Sequence, residues 1–283
     1  MSLRESIRRL RFYYKSSQLF RERLASPSMS WWMPMLPGNR RVEVLMASGR
    51  RVSMKASSWP LLPTACRLDR IGADFEFLED AKCVRVDGLT LYSPLWSRDE
   101  ASYYKEVLID DAYGVKQRDL TGKVVVDVGA YVGDSALAFA RRGATVHAFE
   151  PSVTFCGFIR RNVEANGFVG KIRLHEVGLS DRVDEVTVRN DQLRFVEGVT
   201  YVLEHLPQGV DLLKLDCEGA EYHLLADPRF LAHLSPREIR MEYHRGVQPV
   251  SRYLEEAGYT VTLQPEPGAG SGPVGLLSAK IKG

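Results

Sequence analysis

The feature that most constrains the fold of this chain is an apolar run that ends in an acid and two glycines. The run begins at Val124 and reaches Asp127, and Gly129 and Gly133 follow it. A continuous stretch of valines is typical of a strand that is buried on both faces of a sheet. The glycines predict a tight turn that a small molecule can approach closely, and a helix that begins at Asp134. The segment therefore indicates a strand, a ligand-binding turn and a helix, and the alternative is the same turn without a ligand.

The spacing within this turn indicates which ligand fits it. Dinucleotide-binding turns carry glycines in the order GxGxxG, and their amides face a pyrophosphate. This chain has GxxxG instead, with Asp127 two residues before the first glycine. A carboxylate repels a phosphate and attracts an ammonium group, such as the one on the methionyl part of S-adenosylmethionine. A nicotinamide dehydrogenase is therefore disfavoured.

Two further acids follow predicted strands. Glu150, with Pro151 after it, ends the strand predicted at 145–149, where an acid holds the ribose diol of nucleotide ligands in α/β folds. Bonds from hydroxyls to a carboxylate contribute about 1.5 to 3 kcal/mol each, so losing Glu150 is expected to weaken binding about tenfold or more. Asp216 ends the strand predicted at 210–216. Because ligands of open sheets lie beyond the carboxyl ends of the strands, the three strand ends are expected to form one crevice.

These motifs resemble those of the FkbM family of S-adenosylmethionine-dependent methyltransferases, over roughly residues 120 to 260. The family carries a DxGAxxG loop, an EP pair after the next strand and an LKxDxEGAE segment, which this chain has at 127–133, 150–151 and 213–221. Many methyltransferases share the first motif, whereas the DxEGAE segment is much more specific to this group. The resemblance implies an S-adenosyl-L-methionine cofactor and a class I methyltransferase fold.

From residue 123 onward, strand patterns alternate with helical patterns, which predicts an α/β fold with a parallel sheet covered by helices on both faces. The predicted strands are 123–128, 145–149, 171–177, 210–216, 238–243, 259–263 and 275–281, and the predicted helices are 134–142, 152–166, 219–226 and 248–257. The resemblance implies that this is a Rossmann-like, mostly parallel sheet of seven strands whose last two form an antiparallel hairpin. A further edge hairpin is predicted within 185–203.

The motifs and strand ends together assign the cofactor site. The residues assigned to it are Asp127, Gly129, Ala130, Tyr131, Gly133, Glu150, Pro151, Gly178, Leu179 and Asp216. Leu179 and its neighbours are expected to cover the adenine. Asp216 and Glu218 are assigned to catalysis, with three roles open for them: polarising the acceptor, contacting the cofactor, or binding a divalent cation through oxygen. No residue is assigned as a metal ligand.

His244 is the candidate general base. Methyl transfer to an alcohol needs a group that removes the acceptor proton, and the ordinary pKa of histidine, about 6.5, suits neutral pH. His244 ends a predicted strand on which Arg240 and Glu242 share its face, and burying this polar set would be costly without a polar site. The alternative is a histidine that is satisfied in a loop. Glu221, in the first turn of a helix, is expected to complement the helix dipole.

The N-terminal part, residues 1–98, is predicted to be an α+β accessory region, and residues 99–283 the methyltransferase domain. Hairpins are predicted around Ser48-Gly49 and Asp87-Gly88, and a helix over 99–116. Residues 1–24 show a basic, amphipathic helical pattern. This helix either contacts an anionic lipid surface or docks on the protein itself or on a subunit partner.

The composition agrees with an enzyme that has a sizeable core, since 45% of the 283 residues are hydrophobic and 26% are charged. The sequence shows neither an apolar stretch of transmembrane length nor the apolar core of a signal peptide, so we expect a cytoplasmic location, peripheral at the membrane if residues 1–24 bind lipid. The four cysteines lack CxxC spacing and are expected to be reduced thiols.

The expected function is O-methylation of a hydroxyl on a small molecule, a glycan or a lipid-linked sugar. The alternatives are a non-catalytic S-adenosylmethionine-binding module and an N-methyltransferase that acts on protein or nucleic acid. Methylases of nucleic-acid amino groups carry an NPPY-like turn where this chain has DCEGAE, which argues against a nucleic-acid substrate. Acceptor specificity is expected to reside in residues 30–120 and 182–209.

Overall fold

The computed structural model describes residues 16–26, 28–97, 100–188, 190–264 and 274–282. The chain divides into two compact units, Met1–Asp110 and Asp111–Gly283.

The first unit contains two small antiparallel sheets. Its strands are β1 (Arg41–Leu45), β2 (Arg51–Lys55), β3 (Asp74–Phe77), β4 (Ala81–Val86) and β5 (Leu89–Pro94). β1 pairs with β2, and β3, β4 and β5 form a sheet in that order. Both predicted hairpins are therefore confirmed, and β3 is an additional strand that the sequence pattern did not indicate.

Short helices complete the first unit. They are α1 (16–23), α2 (Met29–Trp32), α3 (Leu62–Arg70) and α4 (Glu100–Tyr104), with 3-10 turns at Met33–Met35 and Ala56–Leu61 and a π-helical turn at Lys105–Ile109. The helix predicted over 99–116 is thus shorter and ends near residue 109. Ala101 and Tyr104 are buried and α4 packs on α3, so the compact unit extends to Asp110 rather than ending at residue 98.

The predicted basic helix begins among residues 1–15, which lie outside the described residues. The part of the 1–24 segment that is described packs on its own unit: Phe20 and Leu24 are buried, and Leu24 bridges to Met46 beside β1.

The second unit is built on a seven-stranded sheet. The strands of the whole unit, including those of a smaller sheet described below, are β6 (Val124–Val128), β7 (Thr145–Phe149), β8 (Ile172–His175), β9 (Gly178–Ser180), β10 (Asp184–Val188), β11 (Asp191–Glu197), β12 (Leu212–Leu215), β13 (Glu238–Tyr243), β14 (Tyr259–Leu263) and β15 (Gly275–Ile281). The sheet order is β14-β15-β13-β12-β6-β7-β8, in which β15 runs antiparallel to both of its neighbours and the other pairs are parallel. The predicted Rossmann-like, mostly parallel sheet of class I methyltransferases is confirmed, and its strand order reverses between β6 and β12.

The helices of this unit are α5 (Asp134–Arg141), α6 (Val153–Ala165), α7 (Gly198–His205), α8 (Glu221–Ala226), α9 (Pro228–Leu234) and α10 (Gln248–Glu256). Every residue of β12 is buried, as a strand covered on both faces requires. No helix within the described ranges is both long and apolar enough to cross a membrane.

A second, three-stranded sheet has the order β10-β11-β9. Its β10–β11 hairpin confirms the predicted edge hairpin, but residues 198–205 form helix α7 instead of continuing it. The helix begins there because the Glu197 side chain accepts hydrogen bonds from the amides of Val199 and Thr200. Val199 and Val202, one helical turn apart, are buried in the core.

Candidate active site

The loop after β6 makes a very close approach to the loop after β12. Gly129 and Gly133 have φ angles of +84° and +90°, which glycine adopts readily. A Cβ on Gly129 would lie 1.8 Å from the carbonyl oxygen of Asp216. The amides of Gly129 and Ala130 both donate to the carbonyl of Phe149, at 3.1 and 2.9 Å. The ends of β6, β7 and β12 therefore meet at one edge of the sheet, as predicted.

Asp127 is fully buried beneath this loop. Its Oδ2 accepts a hydrogen bond from Ser135 Oγ at 2.6 Å, and its Oδ1 lies 3.1 Å from Lys214 Nζ. Lys214 also donates to the carbonyl of Gly129 at 2.6 Å. Burial lowers the pKa of Lys214, but the carboxylates of Asp127 and Asp216 outweigh it and raise that pKa above its ordinary value. The Asp127 carboxylate thus holds the loop through Lys214 and Ser135, and its direct contact with a ligand ammonium group stays a prediction.

Glu150 lies beside the same loop, with only 6% of its surface exposed. Its Oε2 accepts from the amide of Tyr131 and its Oε1 from the amide of Ser152, both at 2.9 Å. Burial raises the pKa of Glu150 to about 7. The two amides fix the plane of the carboxylate, and each oxygen keeps a second lone pair that could accept a ribose hydroxyl.

The residues predicted to cover the adenine lie in β9. A Cβ on Gly178 would lie 2.7 Å from the ring of Phe195 and 3.0 Å from Pro151, so this position is tightly packed. Leu179 is buried and belongs to the same hydrophobic core as Val199. Because the side chain of Leu179 is part of that core, only the main-chain atoms of Leu179 could contact an adenine.

Asp216 and Glu218 differ in their surroundings. Asp216 Oδ2 accepts a hydrogen bond from Tyr113 OH at 3.3 Å and lies 3.7 Å from Lys214 Nζ. Glu218 has a φ of +56°, and its side chain is 91% exposed. Asp216 is therefore tied to the cofactor loop through Lys214, whereas Glu218 stands in solvent at the rim.

His244 is held by a buried carboxylate. Its Nδ1 lies 3.0 Å from Oε1 of Glu221, which has no exposed surface, and Oε2 of Glu221 accepts from the amide of Gly219 at 2.9 Å. The hydrogen bond to Glu221 raises the pKa of His244 to about 9. At neutral pH the ring of His244 is therefore the positively charged imidazolium, whereas the sequence suggested a histidine with its ordinary pKa.

The other ring nitrogen of His244 faces acids. Nε2 lies 3.7 to 3.8 Å from carboxylate oxygens of Asp216, Glu218 and Glu242. The ligand atoms of Asp216, Glu242 and His244 lie within 4.8 Å of one another, so these three could hold a cation. Arg240 forms an ion pair with Glu238 instead of joining this group.

Several residues of the site carried no recognisable signal in the sequence. Tyr113 lies 103 positions from Asp216, and no motif marks it. Ser135, which donates to Asp127, and Asp191, which accepts from Ser152 beside the Glu150-Pro151 pair, also lie outside the motifs. Ser152 could have been found, because serine before a helix is a common cap and its hydroxyl accepts from the amide of Phe155.

The fold and site define a class: an open α/β sheet with one antiparallel strand near its edge, a glycine loop after β6 and an acid after β7 are those of a class I methyltransferase. Residues 169–261 match the family model described as the methyltransferase FkbM domain. This match confirms the FkbM resemblance, and the chain is an S-adenosylmethionine-dependent methyltransferase. A search of curated proteins found no similar sequence.

Solved structures with a similar fold share little sequence with this chain. Methyltransferase FkbM from Methylobacillus flagellatus is 14% identical, with 79% of this chain and 54% of that chain covered and a TM-score of 0.47. TYW2 from M. jannaschii, in complex with AdoMet, is 13% identical, with 72% and 86% covered and a TM-score of 0.44. Precorrin-6y C5,15-methyltransferase from Geobacter metallireducens is 17% identical, with 61% and 86% covered and a TM-score of 0.40.

Proposed function

We propose that this methyltransferase acts on a hydroxyl group of a small molecule, a glycan or a lipid-linked sugar. The observation that carries the proposal is the Glu221–His244 pair, in which Nε2 of His244 faces the carboxylates at the rim where β12 and β13 end. A hydroxyl acceptor must lose its proton as its oxygen attacks the methyl group, so a base at this rim suits it.

The cofactor supplies the methyl group, and the residues after β6 and β7 suit its binding. In our proposal Glu150 accepts the ribose hydroxyls, while Asp127 and Lys214 hold the loop of Gly129 in place. The carbonyl oxygen of Asp216 touches this loop, so the acids after β12 lie beside the bound cofactor.

In the proposed reaction, neutral His244 takes the acceptor proton at Nε2. Glu221, hydrogen-bonded to Nδ1, fixes the ring and stabilises the imidazolium that forms. Asp216, Glu218 and Glu242 surround Nε2 and can accept hydrogen bonds from neighbouring hydroxyls of the acceptor. The same carboxylates repel a phosphodiester backbone, which supports a small or glycan acceptor over a nucleic acid.

The test is a panel of acceptors incubated with the full chain and S-adenosylmethionine carrying a ¹³C-labelled methyl group. The panel contains free sugars, lipid-linked sugars, alcohols, peptides and tRNA. We expect label on an oxygen, which carbon NMR of the product distinguishes from label on nitrogen. Products labelled only on nitrogen would contradict the proposal.

A further inference from the structure

We propose that Asp191 is a positioning residue for the cofactor, holding the corner 150–152 so that Glu150 presents its carboxylate to the ribose. Asp191 begins β11, in a region where the sequence showed no chemical signature. The inference rests on the proposed role of Glu150.

The contacts of Asp191 all lead to the corner that follows β7. Its Oδ2 accepts a hydrogen bond from the hydroxyl of Ser152, and its Oδ1 accepts from the amide and hydroxyl of Thr154, at 3.1 and 2.8 Å. Ser152 is 2% exposed. Hydrogen bonds to a charged acceptor are stronger than neutral ones, so this carboxylate fixes Ser152 firmly.

Ser152 in turn connects to Glu150. Its amide is one of the two donors that orient the Glu150 carboxylate, at 2.9 Å from Oε1. Burial opposes the charged form of Glu150, so an ionised carboxylate there depends on these donors staying in place. A shift of Ser152 would weaken one of the two bonds on which the geometry of Glu150 rests.

The main chain of β11 holds the same corner. The amide of Arg194 donates to the carbonyl of Pro151 at 3.0 Å, and Leu193 bridges to Ser152. The ring of Phe195 and the side chain of Pro151 both lie close to Gly178, since a Cβ there would lie 2.7 Å from the ring and 3.0 Å from Pro151. β11 thus contacts the corner through side chain and backbone together.

If Asp191 acted only through its charge, replacing it would change the cofactor affinity in the opposite direction from the change that a positioning role predicts. The negative charge of Asp191 is one of the causes that raise the pKa of Glu150, after the larger effect of burial. Removing only that charge would favour ionised Glu150 and tighten cofactor binding. Removing a positioning contact would weaken binding, so one affinity measurement separates the two.

The experiment is calorimetric titration of the full chain with S-adenosylmethionine and with adenosine. Asp191→Asn is expected to weaken both affinities about tenfold, because both ligands carry the ribose. Glu185→Gln is the matched control, since it removes one charge from the same hairpin at a side chain that is 80% exposed. Its affinity is expected to change less than about twofold.

A double-mutant cycle tests whether Asp191 acts through Glu150. In the background of Glu150→Gln, adding Asp191→Asn is expected to cause no further loss of affinity. Ser152→Ala removes the connecting hydroxyl, so it is expected to reproduce the loss, and it serves as the second variant if Asp191→Asn fails to fold by circular dichroism. Additive losses, an unchanged affinity or a tighter affinity of Asp191→Asn would each overturn the inference. A wild-type protein that binds neither ligand would overturn the proposed cofactor site itself.

Discussion

At the scale of single residues, the proposed reaction makes the pair of His244 and Glu221 the group that sets the pH at which the acceptor proton can be removed. The hydrogen bond from His244 to Glu221 raises the pKa of His244 to about 9, so the neutral base forms only as the pH rises toward that value. At neutral pH only about one molecule in a hundred has a neutral His244, by the tenfold change per unit that defines a pKa.

We therefore expect the rate of methyl transfer at saturating cofactor to rise with pH, about tenfold per unit between pH 6 and 8, and to level off above about pH 9. Glu221→Gln removes the charge that raises the pKa of His244, so the midpoint of the profile is expected to move to lower pH. The measurement is the initial rate of label transfer to the acceptor found in the panel.

Two variants control this prediction. His244→Ala is expected to keep its affinity for S-adenosylmethionine and to lose turnover about 100-fold or more, the usual worth of general base catalysis. His223→Ala changes an exposed histidine on α8 and is expected to leave turnover unchanged. A rate of His244→Ala equal to that of the wild type would disqualify His244 as the base.

If Glu150 accepts the ribose hydroxyls as proposed, the affinity for the cofactor is expected to depend on pH. Burial raises the pKa of Glu150 from 4.5 to about 7, so the carboxyl is protonated below that pH and accepts hydroxyls poorly. Affinity for S-adenosylmethionine, measured by calorimetry, is expected to increase from pH 6 to pH 8. Glu150→Gln should bind more weakly and without this increase, and a parallel increase in that variant would point to another group.

The raised pKa of Glu150 also affects the stability of the protein without cofactor, which is expected to fall as the pH rises. Because the folded protein holds a proton on Glu150 up to about pH 7 while the unfolded chain releases it near 4.5, the unliganded fold loses stability as the pH rises through this window. Asp134, whose pKa burial also raises to about 7, contributes in the same direction. Cofactor affinity and the stability of the unliganded fold are thus expected to change in opposite directions between pH 6 and pH 8.

At the scale of elements, the ion pair of Asp127 and Lys214 joins β6 to β12. Lys214→Met would leave the Asp127 carboxylate buried without its cation and is expected to destabilise the protein by about 3 to 5 kcal/mol. Urea unfolding followed by circular dichroism measures this. Adding Asp127→Leu removes the stranded charge and should recover part of the loss; if the double variant is no more stable than Lys214→Met, the pair is not the cause.

The elements that could be predicted from the sequence are those with an unbroken local pattern. The valines of β6 and the glycines after it mark a buried strand and a turn whatever the rest of the chain does. α7 and α9 could not be predicted in this way, because they are short and their starts depend on capping by Glu197 and Asp227, which also suit loops.

The same distinction holds for the site. The acids at the strand ends are visible in the sequence because each one follows a strand pattern. The residues that contact this region from afar are not visible in the sequence. Tyr113 lies 103 positions from its partner Asp216, and Asp191 lies 39 positions from its partner Ser152. The raised pKa of His244 likewise depends on Glu221, which looks from the sequence like a residue that only complements a helix dipole.

At the scale of the whole molecule, the family match falls within the second unit, and the first unit contains the basic N-terminal segment. We propose that this segment brings the enzyme to an anionic membrane where a lipid-linked acceptor would lie. Residues 16–24 already pack on the first unit through Phe20 and Leu24, so the part that could bind lipid lies before them.

The test compares the full chain with a chain that lacks residues 1–15, which keeps the buried Phe20 and Leu24 in place. Co-sedimentation with vesicles that contain anionic lipid is expected to capture the full chain and not the shortened one. The binding should fall as salt is raised from 0.05 to about 0.5 M, because salt screens charge attraction. Equal capture of both chains would assign membrane binding elsewhere.

The turns after β6 and β12 approach each other through main-chain atoms of Gly129 and Asp216, with no side chain between them at this point. We expect a displacement that an acceptor imposes on one turn to move the other turn as well, beside which the proposed cofactor site lies. Binding of the acceptor is then expected to change the affinity for the cofactor. By thermodynamic reciprocity, binding of the cofactor changes the affinity for the acceptor by the same factor.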